Sequence, residues 1–235
     1  MNLLLLDDDD FVDARTARVT GRRCRHVRRI LRKQPGDVLA AGRIGGALGT
    51  ATILALDREA LVVEVALDTA PPPPLAATLV LALPRPPVMQ RVLAAATSLG
   101  VARIVLLHTR RVERTYWEAS AMAEENLREQ LLLGLEQARD TRLPELWLRP
   151  RFRDFVDGEL GALVAGGGGV LAHPQGAAPC PARLATPCVV AVGPEGGFLD
   201  DEVERLARAG LSAVSLGPRA LRVETAVAVL LSRLL

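Results

Sequence analysis

Four consecutive prolines, Pro71–Pro74, interrupt the chain about one third of the way along it. Proline has a fixed φ and no amide proton, so such a run is extended and stiff and enters neither a helix nor a central strand. Residues 71–78 are therefore predicted to be a linker between two domains. A chain of 235 residues that is 49% hydrophobic is long enough to give each domain its own core.

Residues 1–70 have the pattern of a small β-barrel. Turn signals, among them Pro35-Gly36-Asp37, separate short apolar runs that alternate with polar residues. The predicted elements are strands at Leu3–Leu6, Ile53–Leu56 and Leu61–Val65 and a short helix at Val27–Leu31.

Residues 79–235 change to strands that alternate with helices, which predicts an α/β domain with a mainly parallel sheet. Gly100 and Gly210 are expected at helix C-caps, and Asp200 or Asp201 at an N-cap. The predicted strands are Leu79–Leu83, Ala102–Leu107, Leu146–Leu148, Gly169–Ala172, Cys188–Val192 and Ala213–Leu216. The predicted helices are Val88–Leu99, Glu118–Arg139, Phe152–Val164, Asp200–Ala209 and Val223–Leu235.

Composition excludes several classes of protein. Three cysteines with no C-x-x-C pair, and three histidines, support neither a disulfide framework nor a metal site, and they favour the reducing cytoplasm. No apolar run approaches the ~18 residues that a membrane span needs, and the leading MNLLLLDDDD is too acidic for a signal peptide.

Positive charge is concentrated near the N-terminus. The segment Ala14–Lys33 holds eight arginines, one lysine and one histidine and no acid, although the chain's net charge is only +2. Such a stripe is typical of a surface that binds a phosphate backbone, and its alternative is a solvated helix face. The arginines predicted to contact RNA are Arg22, Arg23, Arg25, Arg28, Arg29 and Arg32.

A glycine-rich loop follows the strand predicted at Cys188–Val192. Its sequence, GPEGG, lacks the Lys and Ser/Thr of a P-loop and the G-x-G-x-x-G spacing of a dinucleotide site, and Glu195 would repel a phosphate. Glycines allow close backbone approach, so the loop suits a ligand held by main-chain groups, or else only a tight turn. A second loop, LGPRALRVETA, adds Arg219 and Arg222, and Glu224 there suits the start of a helix.

Together these loops resemble the RsmE-type family of 16S ribosomal RNA uridine N3-methyltransferases, which belongs to the SPOUT superfamily. The strongest likeness is GPEGGF followed by SLGPRALRVETA, and nearly the whole chain agrees in order. The other matching segments are HVRRILRKQPGD (residues 26–37), ATSLGVARIVLL (96–107), LEQARDTRLPEL (135–146) and LAHP (171–174).

The resemblance implies an RNA-binding PUA-like barrel in residues 1–70 and a SPOUT domain in residues 79–235. This second domain would carry a deep trefoil knot and bind S-adenosyl-L-methionine. The partners implied are the 16S rRNA of the small ribosomal subunit and a second copy of the chain in a homodimer. Carried over by position, the cofactor-binding residues are Leu171, Ala172, His173, Val192, Gly193, Pro194, Gly196, Gly197, Leu216, Gly217, Pro218, Leu221 and Arg222.

Three residues are candidates for the chemistry of this reaction. Arg222 would hold the imide anion of the target uracil or the flanking phosphate, and Glu195 or Glu224 would act as base or would position the substrate. The chain departs from the family pattern at Ser98, Ala138, Asp140, Leu199 and Val223. The alternatives are an RNA-binding protein that kept this fold and lost catalysis, a methyltransferase for another base, and a nucleotide-dependent oxidoreductase.

Overall fold

A computed structural model describes residues 1–173 and 178–234, which divide into two units. The first unit consists of Met1–Pro73 together with Leu132–Leu143, and the second consists of the remaining chain. The predicted linker is shorter than expected, because a strand begins at Leu75, directly after the prolines.

The first unit contains an open five-stranded sheet in the order β1-β3-β4-β5-β2. β1 pairs with β3 in parallel, and the other three pairs are antiparallel. The edge strands β1 and β2 do not pair with each other among the described residues, so the sheet is a half-barrel. The strands are β1 (Leu4–Leu6), β2 (Thr16–Thr20), β3 (Val38–Arg43), β4 (Leu48–Leu56) and β5 (Ala60–Thr69).

A helix covers the apolar face of this sheet. It starts as α1 (Gly21–His26) and continues as a π-helical turn, Val27–Leu31. Cys24 and Val27 are one turn apart and buried in the same core as the inward residues of the strands, which explains why Arg25, between them, is exposed. The helix ends at Arg32, whose φ of 52° is left-handed.

The second unit is built on a seven-stranded sheet, parallel throughout, in the order β10-β12-β9-β11-β6-β7-β8. Along the chain, β7 and β8 follow β6 on one side of the sheet, and β9 to β12 then lie on the other side of β6. A parallel sheet places its ligands beyond the carboxyl ends of the strands near such a reversal. The strands are β6 (Leu75–Ala82), β7 (Val101–Leu107), β8 (Glu145–Arg149), β9 (Gly169–Ala172), β10 (Ala178–Pro179), β11 (Cys188–Val192) and β12 (Leu211–Ser215).

Helices connect these strands, and α2 packs against α8. The positive φ of Gly100 (77°) and Gly210 (103°) confirms that both close a helix, as predicted. The helices are α2 (Pro86–Ser98), α3 (Arg114–Glu118), α4 (Glu124–Ala138), α5 (Phe152–Phe155), α6 (Gly161–Val164), α7 (Asp200–Arg208) and α8 (Val223–Leu231), with a π-helical turn (Val156–Leu160) joining α5 to α6.

Several sequence predictions need correction. The helix predicted at Glu118–Arg139 is broken, because Ala119 and Ala123 are not helical and a 3₁₀ turn lies between them. Strand β2 was not predicted, because its alternation of buried Ala17 and Val19 with polar residues lies inside the basic segment. Leu216 lies outside the strand predicted to end there.

The predicted cap of α7 is also wrong. Leu199, rather than Asp200 or Asp201, is the N-cap residue, and its amide donates to Glu202 Oε2 at 2.9 Å. The buried Glu202 also accepts the Arg110 amide at 2.9 Å. This carboxylate therefore satisfies the amide of the N-cap residue, which is one half of a capping box; Leu199 has no side-chain oxygen to supply the other half.

Candidate functional site

The GPEGG and LGPRALRVETA loops meet at one cavity of about 470 Å³ in the second unit. Its walls come from the residues that follow β6, β9, β11 and β12, at the carboxyl edge of the sheet. Cavities of this size hold ligands of nucleoside dimensions. The position agrees with the rule for open parallel sheets, and it is set by topology rather than by the sequence of any one loop.

Most of the residues predicted to bind the cofactor line this cavity. Two predicted residues do not: Leu171 is fully buried in β9, and Pro218 lies outside the lining. Pro174, at the end of the LAHP segment, lies outside the described residues. The lining residues that were predicted are Ala172, His173, Val192, Gly193, Pro194, Glu195, Gly196, Gly197, Leu216, Gly217, Leu221, Arg222 and Glu224.

Glycine is required at two positions of the GPEGG loop. Gly197 has a φ of 71° and donates its amide to the Pro194 carbonyl at 2.8 Å, which closes a tight turn. A Cβ on Gly193 would lie 3.1 Å from Gly197 Cα and from two atoms of Phe198. A side chain at Gly193 would therefore displace backbone, and the loop keeps its peptide groups against the cavity.

Two arginines that the sequence analysis did not single out hold this loop. Arg111 follows β7, and its guanidinium donates to the Gly196 carbonyl. Arg85 follows β6; its amide lies 3.3 Å from Glu195 Oε1, and its Nε lies 3.6 Å from the same oxygen. Arg85 follows β6, whose carboxyl end borders the cavity, and Arg111 follows the adjacent strand β7; a position after a strand is the signal that the sequence offers for both.

The second loop brings cations and a carboxylate to the rim. Gly217 has a φ of 116° and donates its amide to Ser215 Oγ at 3.2 Å. Arg222 occupies the N-cap position of α8. Within the described part of the chain, the guanidinium groups of Arg219 and Arg222 have no hydrogen bond or ion pair, so both are available to a ligand.

Glu224 is bound to a neighbouring helix. Its Oε1 accepts a hydrogen bond from Arg91 of α2 at 3.1 Å. The backbone amide of Glu224, followed by Arg91 and Arg222, lowers the pKa of this carboxyl below its usual value, against a smaller opposing effect of burial. A carboxylate with a lowered pKa is a weak proton acceptor, so the geometry favours a positioning role for Glu224 over a role as base.

Comparison with known proteins gives the family. The model of the RNA methyltransferase domain matches residues 71–235. The ribosomal RNA small subunit methyltransferase E of Treponema pallidum (strain Nichols) is 30% identical over 237 residues, covering 96% of this chain and 87% of that protein. The chain belongs to the ribosomal RNA small subunit methyltransferase E family.

Solved structures agree with this family and its fold. A methyltransferase from Legionella pneumophila, solved with the bound cofactor SAM, superposes with a TM-score of 0.80 at 25% identity, covering 99% of this chain and 96% of that one. A ribosomal RNA small subunit methyltransferase E from Neisseria gonorrhoeae, bound to S-adenosyl methionine, gives a TM-score of 0.78 at 22% identity, covering 99% and 95% of the two chains. The predicted α/β class with a parallel sheet is confirmed.

The arginines of the basic segment in this family member differ in their surroundings. Arg22 forms two hydrogen bonds to Glu136, and Arg23 forms two to Asp10 and one to the Leu5 carbonyl. These two guanidinium groups thus serve the first unit itself. Arg28 is half-buried and its Nε has no partner in the described chain, whereas Arg25, Arg29 and Arg32 are exposed.

Among residues 1–173 and 178–234, no three His, Cys, Asp or Glu side chains are grouped so that they could hold a metal ion. The same residues contain no helix that is both long and apolar enough to span a bilayer.

Proposed function

We propose that this protein transfers a methyl group from S-adenosyl-L-methionine to N3 of a uridine in the 16S rRNA of the small ribosomal subunit. The main support for this activity is the cavity that the two glycine-rich loops form at the carboxyl edge of the sheet, in a chain that belongs to the small subunit methyltransferase E family. A substrate of this kind places the reaction in the cytoplasm.

The cavity suits the cofactor in shape and in charge. The open space beside Gly217 would receive the cofactor's adenosine against main-chain amides and carbonyls of the two loops. The rim carries both arginines and carboxylates, which match a molecule with a carboxylate, an ammonium and a sulfonium. When bound, S-adenosyl-L-methionine supplies an electrophilic methyl group.

The chain's own task is to activate uracil N3, which is a poor nucleophile while it holds its proton. Glu195 lies on the cavity wall and is partly exposed, so it would accept the N3 proton. Arg222, whose guanidinium has no partner among residues 1–173 and 178–234, would stabilise the negative charge that develops on the imide. Because N3 lies on the pairing edge, the uridine must leave its pair before it enters the site.

The finer features of the architecture are part of the same proposal. We assign the first unit to a PUA-like RNA-binding domain and the second unit, whose first strand begins at Leu75, to a SPOUT domain. The order of strands, in which β11 lies between β6 and β9, supports a chain that returns through itself in a trefoil knot. A homodimer follows from the resemblance to SPOUT enzymes, and light scattering of the purified chain measures it.

The proposal is tested by calorimetric titration with S-adenosyl-L-methionine, followed by methylation of 30S subunits and mass spectrometry of the modified nucleoside. We expect binding and the formation of 3-methyluridine. Binding without transfer would favour the alternative of an RNA-binding protein that lost catalysis, and transfer to another base would replace the substrate. Failure to bind the cofactor would remove the proposal altogether.

Loss of the Arg111 clamp should weaken cofactor binding. The Arg111→Ala variant no longer bonds to the Gly196 carbonyl, and the loop must then be ordered by the ligand itself. We expect the dissociation constant for S-adenosyl-L-methionine to rise about 5- to 10-fold, which is about the net contribution of one typical hydrogen bond. Calorimetry measures this dissociation constant. Arg114→Ala is the control, because Arg114 is exposed and forms no hydrogen bond or ion pair among the described residues. Equal affinities in both variants would contradict the clamp.

The exposed arginines of the basic segment should control the salt dependence of RNA binding. Each phosphate contact contributes about 0.7 to 0.9 to the slope of log K against log salt. Replacing Arg25, Arg29 and Arg32 together by alanine should reduce that slope by roughly 2 in titrations of 16S rRNA fragments. Arg58→Ala, at the exposed turn between β4 and β5, controls for net charge. A slope that stays unchanged in the triple variant would refute this assignment.

A further inference from the structure

A second cavity, of about 230 Å³, lies next to the cofactor loop in the same unit. One wall is the segment that follows β7, His108 to Arg110; the others are the starts of α5 and α7. These segments also serve the first cavity, because Arg111 bonds to Gly196 and α7 begins three residues after Gly197. The two cavities are therefore neighbours along the carboxyl edge of one sheet.

A buried hydroxyl group lines this second cavity. Thr109 is 1% exposed, and its Oγ1 has no hydrogen-bond partner anywhere in the described chain. An unpartnered buried hydroxyl costs folding free energy, and native structures contain few of them. A ligand that supplies a donor or acceptor to Thr109 would remove this cost, so the orphan group points to an occupant with polar edges.

The balance of charge argues against a phosphate as that occupant. Arg110 pairs with Asp201, and Arg205 makes two hydrogen bonds to Asp157. The carboxylate of Glu202 also lines the cavity. Since Arg110 and Arg205 are paired and the Glu202 carboxylate offsets the charge of the third lining cation, Arg153, the cavity suits a neutral, polar group.

The remaining lining groups favour a flat aromatic ligand. Phe152 presents an aromatic ring, and beside it the Arg153 guanidinium has no ion pair within the described residues. Phenyl rings and guanidinium planes are the surfaces on which unpaired bases stack. Burial, followed by the charge of Arg114, lowers the pKa of His108, so its imidazole is neutral at pH 7 and can donate one hydrogen bond and accept another.

We propose that this cavity receives one unpaired nucleobase of the RNA chain that lies beside the target uridine. The inference rests on the proposed function, since it assigns to the RNA substrate a second base-binding site. Phe152 and Arg153 would stack on the base, and Thr109 would bond to its edge. The chain would thereby select its target by the neighbouring nucleotide as well as by the uridine.

The test uses the full chain and a synthetic RNA hairpin that copies the 16S segment around the target uridine. Each flanking nucleotide is replaced in turn by an abasic one, and the dissociation constant is measured by fluorescence anisotropy. We expect wild-type affinity to fall about 5- to 20-fold at one flanking position, the loss of one stacked base. Phe152→Leu should bind intact RNA with that same reduced affinity and should not distinguish the abasic RNA.

Thr109→Val separates binding from folding. Because its hydroxyl has no partner in the free protein, the variant should melt at the same temperature or higher, yet it should bind the intact hairpin about 3- to 10-fold more weakly. Thr115→Val, an exposed threonine on α3, is the matched control and should change neither quantity. Equal binding by the Thr109 and Thr115 variants would overturn the role of this hydroxyl.

Two further measurements distinguish the ways in which the proposal fails. If wild-type chain binds the intact hairpin and every abasic hairpin equally, the base site is refuted, even where cofactor titration and methyl transfer succeed. If the cofactor titration fails while abasic discrimination persists, the methyltransferase proposal is refuted instead. A third outcome is that the chain binds free nucleosides, that Phe152→Leu abolishes this binding, and that the hairpins are all bound equally. This outcome would assign the cavity to a free nucleoside and overturn its assignment to RNA.

Discussion

Replacement of Arg222 by glutamine should lower kcat for methylation of 30S subunits by about 100- to 1,000-fold, the loss seen when one preorganised donor to a developing anion is removed. Arg222 lies on the cavity wall at the start of α8, and its guanidinium has no partner among the described residues. No acidic side chain in the described part of the chain therefore neutralises this guanidinium. It is free to act on the imide anion of the substrate, which exists only as the reaction proceeds.

The expected signature is a loss in kcat with little change in cofactor affinity. Single-turnover methylation and calorimetric titration of S-adenosyl-L-methionine measure the two quantities on one preparation. Arg222→Lys keeps the charge without the planar fork and should recover part of the rate. If Arg222→Gln instead raises the dissociation constant of the cofactor and leaves single-turnover kcat intact, the residue holds the cofactor rather than the anion.

Glu195 and Glu224, which the sequence presents as equivalent candidates for the base, are distinguished only by their surroundings. Glu224 is held by Arg91, from a helix more than a hundred residues earlier, and its pKa is lowered. Glu195 faces Arg85, which follows a different strand. Both partners lie far away in sequence, so no local pattern contains them.

The parts of the fold that could be predicted are those that local sequence controls. β11 has the predicted bounds, Cys188–Val192, because all five of its residues are buried and form one continuous apolar run. Gly100 and Gly210 mark helix ends because a left-handed conformation at that position favours glycine. Local chemistry also explains why the GPEGG loop is recognisable as a tight turn, in which Gly197 has a φ of 71°.

The parts that could not be predicted depend on contacts made after folding. Leu132–Leu143 groups with the first unit, although it follows the prolines by about sixty residues, because Leu135 packs with Leu3 and Leu5. The Asn2 amide donates to the Glu136 carbonyl at 3.0 Å in the same unit. A linker in the sequence therefore does not separate every residue before it from every residue after it.

The role of Arg22 shows the same limit. In the sequence it is one of eight arginines without a local acid, and it was predicted to contact RNA. In the structure its Nη1 and Nη2 lie 2.9 and 2.6 Å from the two carboxylate oxygens of Glu136, which is 114 positions away. A two-point pair of this kind fixes both side chains and leaves the guanidinium little freedom to meet a phosphate.

Removing this pair from one side should destabilise the first unit. Glu136 is 2% exposed, so Arg22→Gln leaves a buried carboxylate without its cation. One-sided removal of a fully buried pair costs about 3 to 5 kcal/mol; because Arg22 itself is 39% exposed, we expect about 2 to 3 kcal/mol. For a chain of this length, that corresponds to a fall in Tm of roughly 4 to 12 °C.

Denaturant unfolding followed by circular dichroism measures this loss, and two variants show its cause. Arg43→Gln removes a pair whose side chains are 52% and 70% exposed, and it should lower the stability far less than Arg22→Gln does. Replacing Arg22 and Glu136 together by methionine removes both charges from the same place and should recover most of the stability. A different result would contradict this role: Arg22→Gln lowers the free energy of unfolding no more than Arg43→Gln does, but weakens RNA binding tenfold. Arg22 would then belong to the RNA-binding surface, and its pair with Glu136 would exist only in the RNA-free protein.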